Sequence, residues 1–571
     1  MNMKKILVLA IVTLIGMCHS CSEDWLNIKP KGQASIDNFE TKDGVAKLLI
    51  GAYAVVDGTH LGANGTLRET RASSVTNWVF GSVAADDAYK GSTLSDIQPI
   101  NEIESFYATA NNLYVAEHWE PLYDGITRAN DVLRVLPKVN DMTSEEKTLV
   151  EAQAKFLRAH FYFELTRVHG KVPYIDENTV NPGEVPNDHL LYPEIEADMK
   201  FAADNLPNRW SDKGRATEWA AKTYLARIYM FENKFSEALP IFRDVYTNGG
   251  FSLMPSYEQN YMIANLNNAE SIFEIQYAVN DGVTGSLNAG GGADVCFPHG
   301  NAGLGTCCGF FCPSHSLVSA HRVGSDGLPL LDDTYTVDDI LPFSPTGADV
   351  PYKGPVDPRL DHSVGRPGVP YLDWGIHKGL SWVRDANNDG PYVPKKNMFK
   401  KSEKALSSLT GNPAQNANNF RKFKLDQVIL WMAECEAEVG SLHEAKVLVN
   451  LIRNRAKNSN VVRFNDGTPA ANYKVEPYPV DFVSKEYARK AIYMEDRIEF
   501  AMEGERFFDL VRWGIAAQVL NNYMSIESNK MGFYTGRTFV AGQNEIWPIP
   551  QIQIDISLKG GMPILIQNPG Y

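Results

Sequence analysis

From Glu151 to His169 the apolar side chains of Ala152, Phe156, Ala159, Tyr162 and Phe163 return every three or four residues, the period of one helix face. Two further segments carry this period, and they repeat each other. In the first, Ala226 is followed by Tyr229, Asn233, Phe235, Glu237, Ala238 and Phe242. In the second, Ala433 is followed by Glu436, Gly440, Leu442, Glu444 and Ala445. The spacing from Ala226 to Ala238 equals that from Ala433 to Ala445. Each segment reads as a helix, a tight turn at Asn233 or Gly440, and a second helix, with small alanines that let the two approach. This is the tetratricopeptide pattern.

The pattern changes between residues 281 and 415. That stretch holds 19 of the 44 Gly and 13 of the 31 Pro, which break helices and build ordered loops and short strands. The expected fold is therefore mainly α: a tetratricopeptide-like helical-hairpin scaffold over about 22–280 and 416–571, with a long loop-rich insertion containing short strands at about 281–415. At 571 residues the chain exceeds what one core usually organises. The composition nevertheless favours one body with an insertion over two tandem domains. Loops held on a rigid scaffold are where binding groups usually sit.

Ahead of the scaffold, Ile6 to Met17 is an apolar run behind Lys4 and Lys5. A membrane-spanning helix needs about 20 such residues, so residues 1–20 read as a signal peptide. Ser20 precedes Cys21, whereas bulky Met17 precedes Cys18. Cys21 is the expected site of lipidation, tying the remaining chain, 21–571, to a bilayer through an N-terminal acyl anchor.

Charge and motifs narrow the function. A formal net charge of −15 argues against nucleic acid as a partner. There is no His-Glu-x-x-His zinc motif, no Gly-x-Ser-x-Gly elbow and no phosphate-cradling loop. Asp385 to Gly390 opens like a calcium loop, but Lys396 stands where a bidentate Glu is required. An ordered turn is expected there, with no metal or cofactor. Four cysteines crowd the insertion: Cys296, Cys307, Cys308 and Cys312. Three complete pairings are open to them. One joins the neighbours Cys307 and Cys308 into a stiff, flat, apolar disc and leaves Cys296 to Cys312; the others staple the loop. Cys435 lies within a helix and is expected to be a core thiol.

The segment Arg497-Ile498-Glu499-Phe500-Ala501-Met502-Glu503-Gly504-Glu505-Arg506-Phe507-Phe508-Asp509-Leu510-Val511-Arg512-Trp513-Gly514 resembles the C-terminal signature of the SusD/RagB family. Trp25-Leu26 with Pro30, Asp326 to Pro329, Asp357-Pro358-Arg359, Asn450 to Ala456, Ile546 to Pro550 and Gln567 to Tyr571 also fit. The resemblance implies a lipoprotein on the extracellular face of the outer membrane. It would capture oligosaccharide or polysaccharide and deliver it to a SusC-like TonB-dependent transporter, without catalysis. A peptide-binding member of the family is one alternative, and a surface glycosidase a more distant one.

The family's ligand surface draws on loops after the first helix and on the mid-chain insertion. In this chain that implies Asp57 and Trp78 from the first region and Arg366, Trp374, Trp382 and Tyr392 from the second. Aromatic faces would cover sugar rings, and planar polar groups would reach hydroxyls. Trp78 and Tyr392 stand out because their neighbourhoods are turn-rich, and a Cys307–Cys308 disc could stack on a sugar as a ring does. Within the signature, Glu499, Glu503 and Arg506 sit at helical spacing for pairing, as do Asp509 and Arg512. Phe500, Phe507, Leu510 and Trp513 would form the buried stripe.

Overall fold

The computed structural model describes residues 36–61, 67–69, 71–282, 288–300, 303, 307–331, 352–409 and 412–571. Cys21 and residues 1–20, expected from the sequence to be a lipidation site and a signal peptide, lie outside these residues. The scaffold is a succession of helices, each started by a local cap. Thr41 accepts the Gly44 N–H at 3.1 Å to open α1, Lys42–Tyr53. Asn112 accepts the Tyr114 N–H at 2.9 Å ahead of α2, Leu113–Val135. Thr143 and Glu146 form a reciprocal capping box on α3, Ser144–His169. Next come α4, Tyr192–Asn205, α5, Glu218–Phe231, and α6, Phe235–Asn248. After the insertion follow α7, Leu425–Val439, α8, Leu442–Asn458, and α9, Lys485–Glu499. Helices α2 to α6 pack each on the next, and α7 packs on α6, α8 and α9.

The repeat read from the sequence is the α5–α6 and α7–α8 pair of hairpins. Ala226, Ala238, Ala433 and Ala445 are all fully buried, as close helix approach requires. Asn233 turns the first hairpin in the left-handed region at φ 59°. A mainly α scaffold therefore stands, with the apolar core running through these helices.

One short antiparallel pair ties the insertion to the scaffold, and a second closes the scaffold across the insertion's two ends. Strand β1, Ala88–Gly91, pairs with β3, Phe310–Pro313, setting Tyr89 opposite Cys312. Strand β2, Ser271–Ile275, pairs with β4, Phe420–Lys424, setting Glu274 opposite Arg421. Around β1 and β3 lies a second core, which includes Trp78, Phe80, Phe507 and Trp547.

The signature is not one helix. α9 stops at Glu499, Met502 and Gly504 take φ of 64° and 77°, and α10, Arg506–Arg512, begins afresh. The break is a backbone-to-backbone contact. A Cβ on Gly504 would lie 1.9 Å from the Thr76 carbonyl oxygen, and one on Gly81 would lie 1.7 Å from the Gly504 oxygen. Most of the expected pairings are accordingly replaced by distant ones. Glu499 accepts from Arg359 at 2.8 Å and from Arg455. Glu503 takes Lys396 at 2.5 Å and Lys424. Arg506 binds Asp86 at 2.8 Å. The Asp509–Arg512 pair does form, at 2.7 Å, and shares Arg227 at 2.6 Å. Phe500, Phe507 and Leu510 are buried, whereas Trp513 is half-exposed and stacks on Tyr493 at 3.7 Å.

Candidate functional site

Two adjacent lysines pin the insertion. Lys395 Nζ donates to the carbonyls of Asp361 at 2.5 Å and Pro370 at 2.9 Å. Lys396 Nζ donates to the Glu499 carbonyl at 2.8 Å as well as to Glu503. Burial pulls the Lys395 ammonium down to about 8 against the opposing pull of Asp361. Cavities lie on both sides of this turn, and both are lined by Lys395 to Met398.

The narrower cavity lies between Ser74–Trp78 and the insertion and holds about 90 Å³. That is room for roughly three waters at about 30 Å³ each, well below the 300–1,000 Å³ or so of small-molecule pockets. Its amides are occupied with holding the fold. Asn419 accepts the Tyr277 N–H at 2.8 Å and donates to Glu274 at 2.9 Å. Asn418 donates to the carbonyls of Tyr261 and Asn397 at 3.0 and 2.9 Å. Nearby, Arg71 clasps Asp294 through two bonds of 2.7 and 3.0 Å, joining the loop after α1 to the insertion.

The wider cavity holds about 510 Å³ and suits a ligand of one or two rings. Glu258, His362, Leu372, Asp373, Lys400 and Arg463 contribute to its wall. Burial lowers the His362 imidazole against the pull of Glu258, and the ring donates to the Asn460 carbonyl at 2.7 Å. Burial acts to raise Asp373, but the Ser402 hydroxyl and the backbone N–H groups of Ser402 and Lys401 outweigh it and hold the carboxylate below its ordinary range.

Trp374 stands next to Asp373. Its indole N–H donates to the Phe399 carbonyl at 3.0 Å, and its ring remains half-exposed with Lys404 Nζ 5.8 Å from the centroid. The same satellite core of Phe297, Tyr371, Trp382 and Phe399 seats both Trp374 and Cys308. Cys307 and Cys308 are joined by a disulfide, Cys307 exposed and Cys308 half-buried. Cys296, Cys312 and Cys435 are buried and unbonded, so the pairing of Cys296 with Cys312 does not form.

Of the other sequence candidates, Trp78 borders the narrow cavity, and Asp57, Arg366, Trp382 and Tyr392 line neither. Trp78 has none of its surface exposed; it donates to the Gly292 carbonyl at 3.0 Å and packs against Phe310 and Phe311. Tyr392 is equally buried, edge-on to His315 at 5.5 Å. Neither has a face to offer a sugar, and the turns around them are covered rather than open. Trp382 is core, edge-on to Tyr371. Arg366 is 4% exposed and spends its guanidinium on Asp361 at 2.7 and 2.6 Å, so it is a crosslink rather than a ligand group. Asp57 is half-buried beside the narrow cavity; after burial itself, its charge is what raises the Tyr277 phenol.

Sequence reasoning missed Arg71 and Asp294, which meet across 223 residues. It also missed Asp373, though a carboxylate next to a Trp in a Gly-rich turn was a usable signal. The calcium-like segment closes on itself: Asp389 accepts the N–H groups of Arg384 and Asp385 at 3.1 and 3.0 Å. No cluster of three or more His, Cys, Asp or Glu able to hold a metal occurs among the described residues.

Residues 269–571 match the model of the SusD family, and residues 24–230 match one described as starch-binding associating with outer membrane. SusD-like protein P25 of Formosa agariphila is 24% identical over 99% of both chains. A solved laminarin-binding SusD-like protein is 25% identical, covers 93% of this chain and 100% of its own, and superposes with a TM-score of 0.65. Surface glycan-binding protein A from Bacteroides thetaiotaomicron, solved with laminarihexaose, is 21% identical over 92% of this chain and 99% of its own, with a TM-score of 0.66.

Proposed function

The chain belongs to the SusD family, and from that premise we propose that it is a surface glycan-binding protein. The observation that carries this reading is the end-to-end likeness to a laminarin-binding chain. The site geometry supports it: a hollow of about 510 Å³ with charged and polar walls that include Asp373, whose chain neighbour Trp374 keeps its indole half-exposed. Trp374 covers the C–H face of a sugar ring, Asp373 and Arg463 reach its hydroxyls, and the Cys307–Cys308 disc extends the apolar platform.

Within this reading the protein carries no catalysis. A lipid on Cys21 holds it to the outside of the outer membrane, and a SusC-like TonB-dependent barrel receives the captured glycan. Among the described residues no helix is long and apolar enough to cross a membrane.

Affinity electrophoresis through gels containing laminarin, starch and other plant, fungal and bacterial polysaccharides tests the reading. Retardation in at least one gel, with the glycan unhydrolysed afterwards, is the expected result. Passage unretarded through all of them, with retention on a peptide column instead, would overturn it in favour of a peptide ligand.

A further inference from the structure

A second cavity, of about 400 Å³, opens on the scaffold away from the insertion, within the size range of ligand pockets. It lies between the α4–α5 loop, the end of α6 and the start of β2, and no residue of 281–415 lines it. Trp210, Trp219 and Phe251 form its aromatic walls, all half-exposed. The Trp210 N–H is tied to the Ala216 carbonyl at 2.7 Å, which fixes the ring; Arg215 lies over it at 5.8 Å and Lys222 over Trp219 at 4.8 Å, and both indoles remain half-exposed.

The charge at this cavity runs against the molecule. The chain as a whole carries −15, yet Arg209, Lys213 and Arg215 converge here. Arg215 is engaged, with Asp212 at 3.3 Å and Gln153 at 3.1 Å. Arg209 and Lys213 are exposed and have no ion-pair partner among the described residues. The nearby acid Glu274 is buried and occupied by the Asn267 N–H and the Asn419 amide, both at 2.9 Å. Aromatic walls select flat apolar faces, such as the C–H side of a sugar. Two unpaired cations at the mouth select anions.

We propose that this scaffold cavity is a separate binding site for an acidic glycan, one bearing sulfate or carboxylate groups. The proposal deepens the glycan reading and rests on it for the class of ligand. The indoles stack on the sugar rings, and Arg209 and Lys213 take the acidic groups. Strand β2 stands between this site and the narrow cavity, and Asn267, Gln276 and Asn419 bridge it with bonds of 2.9 Å.

Titration calorimetry of the full chain tests the site with three probes: a heparin-derived sulfated tetrasaccharide, tetragalacturonate and neutral laminarihexaose. The Arg209→Ala/Lys213→Ala double variant removes two exposed side chains and leaves the core untouched. Losing charge-assisted bonds should weaken the acidic probe about tenfold or more, and added salt should weaken it in the wild type. Trp219→Ala should weaken it too, while Trp374→Ala should not. Binding of only one acidic probe identifies the group selected. Acidic-probe binding unchanged in the double variant overturns the site. So does absence of acidic-probe binding at low salt in protein that binds a neutral glycan. Failure of every glycan, in the calorimeter and in the gels, removes the glycan reading along with this site.

Discussion

Trp374 and Trp78 show how one residue type takes two roles on environment alone. Both indoles donate to a backbone carbonyl, at Phe399 and Gly292. Trp374 does so with its ring half-exposed beside Asp373, a wall residue of the wider cavity, and Trp78 inside a core. Trp374→Ala should therefore weaken glycan binding roughly tenfold with folding intact, since losing one aromatic stack costs about 1–3 kcal/mol. Trp78→Ala should instead lower stability by about 3–5 kcal/mol. Calorimetric titration and thermal melting of both variants separate the roles; a binding loss in folded Trp78→Ala alone would reverse the assignment. The sequence could not tell them apart, because Gly292 lies 214 residues from Trp78 and only the fold brings it there. A second single-residue effect concerns Glu104. Burial raises its carboxyl to about 7 against the Tyr534 bond and the Lys90 charge. Its folded value is raised above the unfolded one, so its contribution to stability falls as pH rises from about 4.5 to 7. Glu104→Gln should raise the melting temperature at pH 8 and leave it little changed at pH 4; equal shifts at both would refute the titration.

At the scale of elements, the helical hairpins were legible because their information is local. An alanine, a turn residue and a second alanine fall within one short window, and the turn conformation at Asn233 follows from that window. The helical spacing across the signature does not carry through, because the break is imposed from outside, by the chain segment at Thr76 to Gly81. Gly504→Ala should be severely destabilising, since Gly504 is left-handed and abuts the Thr76 carbonyl; denaturant unfolding measures it, and a neutral result would mean the contact can open. The insertion was legible as loops, but not which of its aromatics remain open, because that depends on how the satellite core closes. Its vicinal disulfide gives an element-level test. Reduction should weaken glycan binding while shifting the melt little, because so small a loop removes almost no unfolded-chain entropy. A large melting shift with unchanged affinity would make the bridge a staple.

Over the whole molecule, buried ion pairs join segments far apart in sequence. Burial works to raise Asp86, but Arg497 and Arg506 hold it down at about 2; Lys396 and Lys424 do the same for Glu503, also to about 2. Both folded values lie below the ordinary 3.8 and 4.5, so the stability they confer is present above those values and is lost as pH falls toward 2. Glu503→Gln should lower stability at pH 7 and flatten the acid limb between about 4.5 and 2, as read by circular dichroism. Anchoring and partnership belong to this scale as well. Cys21→Ser should move the protein from the membrane to the soluble fraction; full retention with Cys18 intact would shift the lipid to Cys18. Gentle detergent extraction should bring down a TonB-dependent barrel in near-equal amount, and recovery of the protein alone would count against the partner.

The clasp of Arg497 on Asp87 closes a loop of 410 residues, and that of Arg506 on Asp86 one of 420. Until about the last eighth of the polypeptide arrives, these two carboxylates have no counter-charge and the wide turn at Trp78–Val83 has no Gly504 to rest on. The amino-terminal half cannot reach its final packing alone, and contacts of such span make assembly slow. The segment around Asp86 and Asp87 thus matures late, and a nascent form lacking α9 and α10 leaves that segment open to proteases.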